Sequence, residues 1–307
     1  MHSHELAHTL PELGVRATHA SPIIIATDGR AQSDSALVIG RLLADTPNSL
    51  RLVSVIKTMP VIPETSIAVS ADFELVRRAG IEAEIITQVH RAWNDDTDFE
   101  VCDGDPAAVI SQMAHESGAT MIVAGLGRHR VADRIFGDET ALRLIRMSDV
   151  PVFAAAKGVT QAPRRIVVAI DFTETSLRAA RMALEVGSFH STVYLVHVAP
   201  RRNSLPDWEG WGTAYKQDAA ESLKKTRSQL HVPDDMTIHD VLLQGDPGTE
   251  LLSFATSVDA DLIATGSHGD GFITRMLIGS VTTQIVRGST CSVLTVPYTA
   301  VMTPGRV

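Results

Sequence analysis

The chain is written twice. Residues 21–44, SPIIIATDGRAQSDSALVIGRLLA, have a counterpart at 162–187, APRRIVVAIDFTETSLRAARMALEVG. Each is an apolar β-branched run ending in an aspartate (Asp28, Asp171), then a Gly/Ser/Thr-rich turn and an amphipathic helix pattern. GDP recurs at Gly104–Pro106 and Gly245–Pro247, followed by a helical stretch and a second apolar run ending at Gly125 or Gly266. Both copies close on a proline-flanked strand pattern, VPVFAAA from Val150 and CSVLTVP from Cys291. Matched positions stay 141 to 143 residues apart. So regular an offset marks a tandem duplication, joined by the linker KGVTQAPR at Lys157–Arg164. The expected organisation is a mobile leader over 1–20 and domains over 21–157 and 163–299.

Within each copy, strand patterns alternate with helical ones. In the second they fall at strand Arg165–Asp171, helix Thr175–Ser188, strand Thr192–Val198, helix Ala214–Leu230, strand Thr237–Leu243, helix Gly248–Ser257, strand Leu262–Gly266, helix Ser280–Arg287 and strand Val293–Pro297. The strands are continuous Val/Ile/Leu runs, as burial on both faces of a parallel sheet demands. Helical crossovers then give an open, doubly wound α/β sheet. Such sheets take ligands at the carboxyl ends of the strands, where the strand order reverses.

Composition narrows the partners. The net charge of −9 over 307 residues argues against a nucleic-acid or anionic-membrane binder, because both need a basic face. No apolar run reaches the ~18–20 residues of a membrane span. The first residues, MHSHELAHTLPELGVRATHAS, lack the basic and apolar regions of a secretory signal. Cys102 and Cys291 stand far apart without metal-ligand spacing, which fits two thiols in a reducing cytoplasm. His2, His4, His8 and His19 lie in the polar leader and read as a tail rather than a metal site.

The stretch GSHGDGFITRMLIGS, Gly266–Ser280, lies at a ligand-binding edge. Glycine lets a ligand approach backbone N–H groups, and a helix start near Ser280, with Ser280 as its N-cap, offers free first-turn N–H groups to an anion. The pattern is neither a Walker A loop nor a dinucleotide fingerprint, since the first strand-to-helix turn, DFTETS, has no glycine.

Gly266-x-x-Gly269, nine residues, then Gly279-Ser280 resembles the G-x2-G-x9-G-[S/T] motif of the universal stress protein family. IVVAIDFTETSLRAARMA is similar to that family's opening strand, aspartate and helix, VYLVHVAP to its second strand, and GSVTTQIVRGSTCSVLTVP to its closing helix and strand. The resemblance covers Arg165–Pro297 and, more weakly, Pro22–Ala156. It implies two tandem, mostly parallel, open-sheet α/β domains (Rossmann-like, HUP-type). It implies an intrachain pseudo-dimer through Val150–Ala156 and Val293–Pro297, and leaves a homodimer of two chains open. It further implies that Asp171 and Val198 hold adenine and ribose, and that Gly266, Gly269, Gly279, Ser280, Val281 and Thr282 hold ribose and phosphates. His268, in the loop, reads equally as lining the pocket and as facing solvent. The ligand is then ATP, ADP or AMP, with or without magnesium.

Departures bear on this. Asp270 stands where many members carry a basic residue, which disfavours a triphosphate unless a metal or Arg275 offsets it. In the first copy, GLGRHRVADRIFGDE, Arg128 replaces the second glycine. The loop to Gly137 reads one residue shorter, and Asp138 replaces the serine. The expectation is no phosphate cradle there, with Arg128, His129 and Arg130 a solvated basic turn. Asp171 reads equally as a ligand contact and as a helix cap. His197 reads as a hydrogen-bonded core histidine, and Trp208 and Trp211 as packing under a loop. The expected function is a nucleotide-binding regulatory stress protein rather than an efficient enzyme. The alternatives are a slow ATPase or nucleotidyl transferase and a nucleotide-independent interaction module.

Overall fold

The computed structural model describes residues 22–44, 46, 49–57, 71–95, 97–127, 137–200, 211–267 and 278–298. The first repeat runs β1 (Ile23–Thr27), α1 (Asp34–Leu43), β2 (Leu50–Lys57), α2 (Ala71–Trp93), β3 (Phe99–Gly104), α3 (Pro106–Glu116), β4 (Met121–Gly125), α4 (Gly137–Met147) and β5 (Val152–Ala155). The second runs β6 (Arg165–Ala169), α5 (Glu174–Val186), β7 (Thr192–Ala199), α6 (Trp211–Ser228), β8 (Thr237–Gln244), α7 (Pro247–Ser257), β9 (Leu262–Gly266), α8 (Ser280–Gly288) and β10 (Ser292–Val296).

The described strands form one sheet, in the order β3-β2-β1-β4-β5-β10-β9-β6-β7-β8. Every pairing is parallel except β5 with β10. That antiparallel seam joins the repeats, Val152 opposite Thr295, Phe153 opposite Leu294 and Ala154 opposite Val293. The two repeats thus form the intrachain pseudo-dimer expected from sequence. Ser292 Oγ accepts from Ala156 N at 3.1 Å across the seam, and α4 meets α8 beside it.

The strands are buried on both faces. One apolar layer gathers Leu37 of α1, Ile85 of α2, Leu177 of α5 and Leu223 of α6. The opposite layer gathers Ile110 of α3, Leu142 of α4, Leu251 of α7 and Ile285 of α8. Both layers run through both repeats, so the seam is core rather than a contact between finished domains. At the β3 edge, Arg78 of α2 donates to Val101 O at 2.8 Å and pairs with Asp103, which occupies a carbonyl that a foreign strand could use.

The repeated GDP is a helix-starting device. Gly104 and Gly245 take positive φ, +142° and +157°. Asp105 and Asp246 are N-caps, accepting from Ala108 N and Thr249 N, and Pro106 and Pro247 open the helices. Proline suits that first position because it has no N–H to lose there. The caps also reach the next helix, Asp105 to Arg143 of α4 and Asp246 to Gln284 of α8.

Arg143 and Gln284 are 141 residues apart, as are Ser148 and Ser289, whose hydroxyls donate to Val150 O and Cys291 O. By this register the two closing helices align at an offset of 141, although α4 begins at Gly137 and α8 at Ser280. Asp138 stands opposite Gly279, and Glu139 opposite Ser280. Buried, regular helix registers fix this alignment where loop composition could not. Among the described residues no helix is long and apolar enough to cross a membrane. The leader 1–20 lies outside the described residues.

Candidate functional site

In the second repeat the strand order reverses between β6 and β9. A cleft of about 230 Å³ opens there. β6 ends at Ala169, two residues short of the expected end, so Ile170 and Asp171 stand off the sheet. Ile170 N donates to Val196 O at 2.8 Å, the last backbone tie from this segment to β7. β7 continues to Ala199. Backbone groups alternate sides along a strand, so Val198 N–H and C=O point the same way as those of Val196, into space that β6 has left.

Asp171 does not cap α5. Its Oδ1 accepts from Thr173 N at 3.1 Å and Thr173 Oγ1 at 2.6 Å, and Thr173 caps the helix by accepting from Ser176 N. The short turn needs a positive φ, +66° at Phe172.

Gly266 ends β9. A Cβ there would lie 2.7 Å from Thr175 Cγ2 of α5. This glycine is needed for close strand–helix packing, a reason different from ligand approach. In the first repeat a Cβ on Gly125 would meet Ser33 Cα of α1 at 3.3 Å, which explains why that glycine persists without the rest of the motif.

Gly279 N donates to Ser267 O at 2.8 Å and Gly279 is the N-cap of α8, with Ser280 the first helical residue rather than the cap expected from sequence. Gly279 has no side chain to cap the helix, and no side chain among the described residues caps it. Among the described residues, the first-turn N–H groups of Ser280, Val281 and Thr282 are therefore left to a ligand, on the positive end of the helix dipole. Thr282 Oγ1 donates to Gly266 O at 2.7 Å, so its proton is committed to the strand end and only its N–H remains for a ligand.

The cleft is lined by Asp171, Val198, Gly266, Gly279, Ser280, Val281 and Thr282, all singled out by sequence. His268 and Gly269 lie outside the described residues, as do Asp270, Arg275, Arg128, His129, Arg130, Trp208 and the side chain of Trp211. Sequence reasoning missed Ile170, Ser176, Pro247, Leu251 and Thr265, which also line it. The repeated GDP was the available signal for Pro247, and Leu251 follows one turn later.

His197 lines the cleft from behind. Its Nδ1 bonds Ile170 O at 2.8 Å and its Nε2 bonds the Tyr215 hydroxyl of α6 at 2.9 Å. Burial holds the imidazole below its ordinary pKa, against the opposing Ile170 carbonyl and Asp171 charge. The ring is neutral with Nδ1–H donating and Nε2 accepting, a core histidine as expected. Burial likewise raises the Tyr215 phenol. Among the described lining residues, Asp171 carries the formal charge. No group of three or more His, Cys, Asp or Glu that could hold a metal occurs among the described residues.

The first repeat treats the same corner differently. Gln88 of α2 is fully buried and donates to Arg30 O, Ser33 Oγ and Asp34 Oδ1, each at 2.9 Å. α2 thus lies on the β1–α1 turn, so closely that a Cβ on Gly29 would sit 2.9 Å from Glu84 Cβ.

The universal stress protein family model matches residues 20–155 and again 163–297. The chain belongs to the universal stress protein family. It is 32% identical over 139 residues to Universal stress protein MJ0531 of Methanocaldococcus jannaschii, covering 43% of this chain and 81% of that protein. It is 30% identical over 137 residues to a Thermus aquaticus universal stress protein, covering 43% of this chain and 98% of that one. A solved universal stress protein from Archaeoglobus fulgidus is similar over 90% of this chain and 96% of its own, with a TM-score of 0.60 at 18% identity. That likeness extends the shared fold over both repeats, so the chain is a tandem universal stress protein.

Proposed function

We propose that the second repeat binds an adenine nucleotide and that the protein acts as a nucleotide-responsive regulatory binding protein in a cytoplasmic stress response. One observation carries this reading. The backbone edge of Val198, unpaired among the described residues, and the N-terminus of α8, uncapped by any described side chain, line a single cleft. An N–H beside a C=O on one strand edge suits adenine, which offers a ring nitrogen acceptor next to an amine donor. First-turn N–H groups suit phosphate oxygens. Asp171, between them in chemistry, suits a ribose hydroxyl. ATP, ADP and AMP all carry these three parts. In this reading a magnesium ion is brought by the nucleotide phosphates.

The domain at 163–299 is then the binding one. The domain at 21–157, with Asp138 and Glu139 at the helix start and α2 over its first turn, supports the seam. A carboxylate at a helix N-terminus repels phosphate.

The test is to purify the protein without added nucleotide, denature it and identify released small molecules by mass spectrometry, with calorimetric titration of ATP and AMP alongside. About one adenine nucleotide per chain, lost in Gly279→Asp, supports the reading. About two per chain shows that the first repeat binds as well. No released nucleotide together with no calorimetric binding overturns the proposal in favour of a nucleotide-independent module. Mg-dependent turnover would move it to the enzyme reading.

A further inference from the structure

Phe172 sits in left-handed backbone, φ +66°, a conformation that strains a non-glycine residue. It is only partly buried, 39% exposed. The first repeat makes the same turn with Gly29, φ +76°, without that strain. A glycine would therefore serve the turn, and the phenyl ring must be kept for what it touches. It lies on His197, with ring centroids 4.4 Å apart.

His197 stands where β6 and β7 part. The backbone ladder stops at Ile170 N with Val196 O, and His197 Nδ1–H to Ile170 O extends the tie one step farther through a side chain. The strands are held together there without using the backbone of Val198. Tyr215 of α6 fixes the other nitrogen, and Phe172 covers a ring face. The two repeats supply an internal control. Strand registers place Ser54 opposite His197 and Gly29 opposite Phe172, so both partners of the stack are missing from the repeat whose turn is covered by α2.

We infer that Phe172 is a positioning residue for ligand binding: it clamps His197, and through it the end of β6, so that Asp171 and the open edge of Val198 stay in place. Backbone strain persists only where surrounding structure over-determines it, and it gathers at sites where position matters more than stability. The inference rests on the nucleotide reading of the cleft.

The experiment compares the full chain with Phe172→Gly and Phe172→Tyr by calorimetric titration of ATP and AMP, thermal melting, and the imidazole nitrogen chemical shifts of His197. Phe172→Gly is expected to melt at the same or a higher temperature, yet bind about tenfold more weakly. Its His197 shifts should depart from those of one fixed Nδ1–H tautomer. Phe172→Tyr should keep affinity and shifts. Unchanged affinity in Phe172→Gly overturns the inference, and so do affinity and melting temperature falling together. A wild-type chain that binds neither ATP nor AMP overturns the nucleotide reading instead. In that event wild-type His197 shifts in Phe172→Gly overturn the clamp, and altered shifts uphold it.

Discussion

Phe153 of β5 lies directly opposite Leu294 of β10, and the two are the same position of the two repeats, 141 residues apart. Their flanking pairs, Val152 with Thr295 and Ala154 with Val293, exchange under the same relation. The pseudo-twofold axis of the protein therefore passes through this pair. Both side chains are fully buried in one apolar layer.

Truncation at the axis should be felt across the whole chain. Phe153→Ala is expected to cost about 3–5 kcal/mol, and Leu294→Ala about 2–5 kcal/mol. Because the residues face each other, the double variant should depart from the sum by about 0.5–3 kcal/mol. Equilibrium denaturation of the four proteins of the cycle measures this. Strict additivity would mean that the seam is not packed as described.

Gly266→Ala should destabilise the protein before any ligand is considered. The new Cβ meets Thr175 Cγ2 at 2.7 Å and Thr175 Cβ at 3.2 Å, both on a buried residue of α5. Overpacking of this kind costs about 1–3 kcal/mol. Thr175→Ser removes the nearer of the two atoms and should recover part of the loss. Urea midpoints of the single and double variants decide it, and a Gly266→Ala protein as stable as wild type would contradict the close strand–helix approach.

Stability should fall in acid partly through His197. Its folded pKa is lowered, with burial the largest cause. Between that lowered value and about 6.5, the unfolded chain takes up a proton that the native ring does not. The contribution is complete above about 6.5 and is lost as pH falls toward the folded value. His197→Asn, whose amide can still donate to Ile170 O, should show a shallower fall between about pH 7.5 and about pH 5.5, the window in which an ordinary histidine titrates. Equal slopes for the two proteins would show that His197 does not resist protonation.

The paired caps should behave alike. Asp105→Ala and Asp246→Ala each remove an N-cap acceptor and are expected to cost about 1 kcal/mol. Asp246→Ala also frees Gln284 on α8 beside the cleft, so it alone should weaken nucleotide binding. Melting and calorimetric titration of both variants test the distinction.

The sequence by itself determined the duplication, the alternation of strands and helices, the parallel sheet and the strand ends that line the cleft. These are carried by local periodicity and by an offset that survives in GDP and in the glycines at 125 and 266. The pairing of the two closing strands was legible only through the family resemblance. Other features needed the tertiary structure, because each depends on elements far apart in the chain. Gly266 is glycine because α5 crosses it. Thr282 lines the cleft while giving its proton to Gly266. The register of α4 follows from what it buries. The first turn of repeat one is covered because Gln88 arrives there from α2. The strain at Phe172 has a partner only once β7 brings His197 under its ring. A residue's neighbours along the chain set its preferred conformation, but its neighbours in space decide whether a strained one is kept.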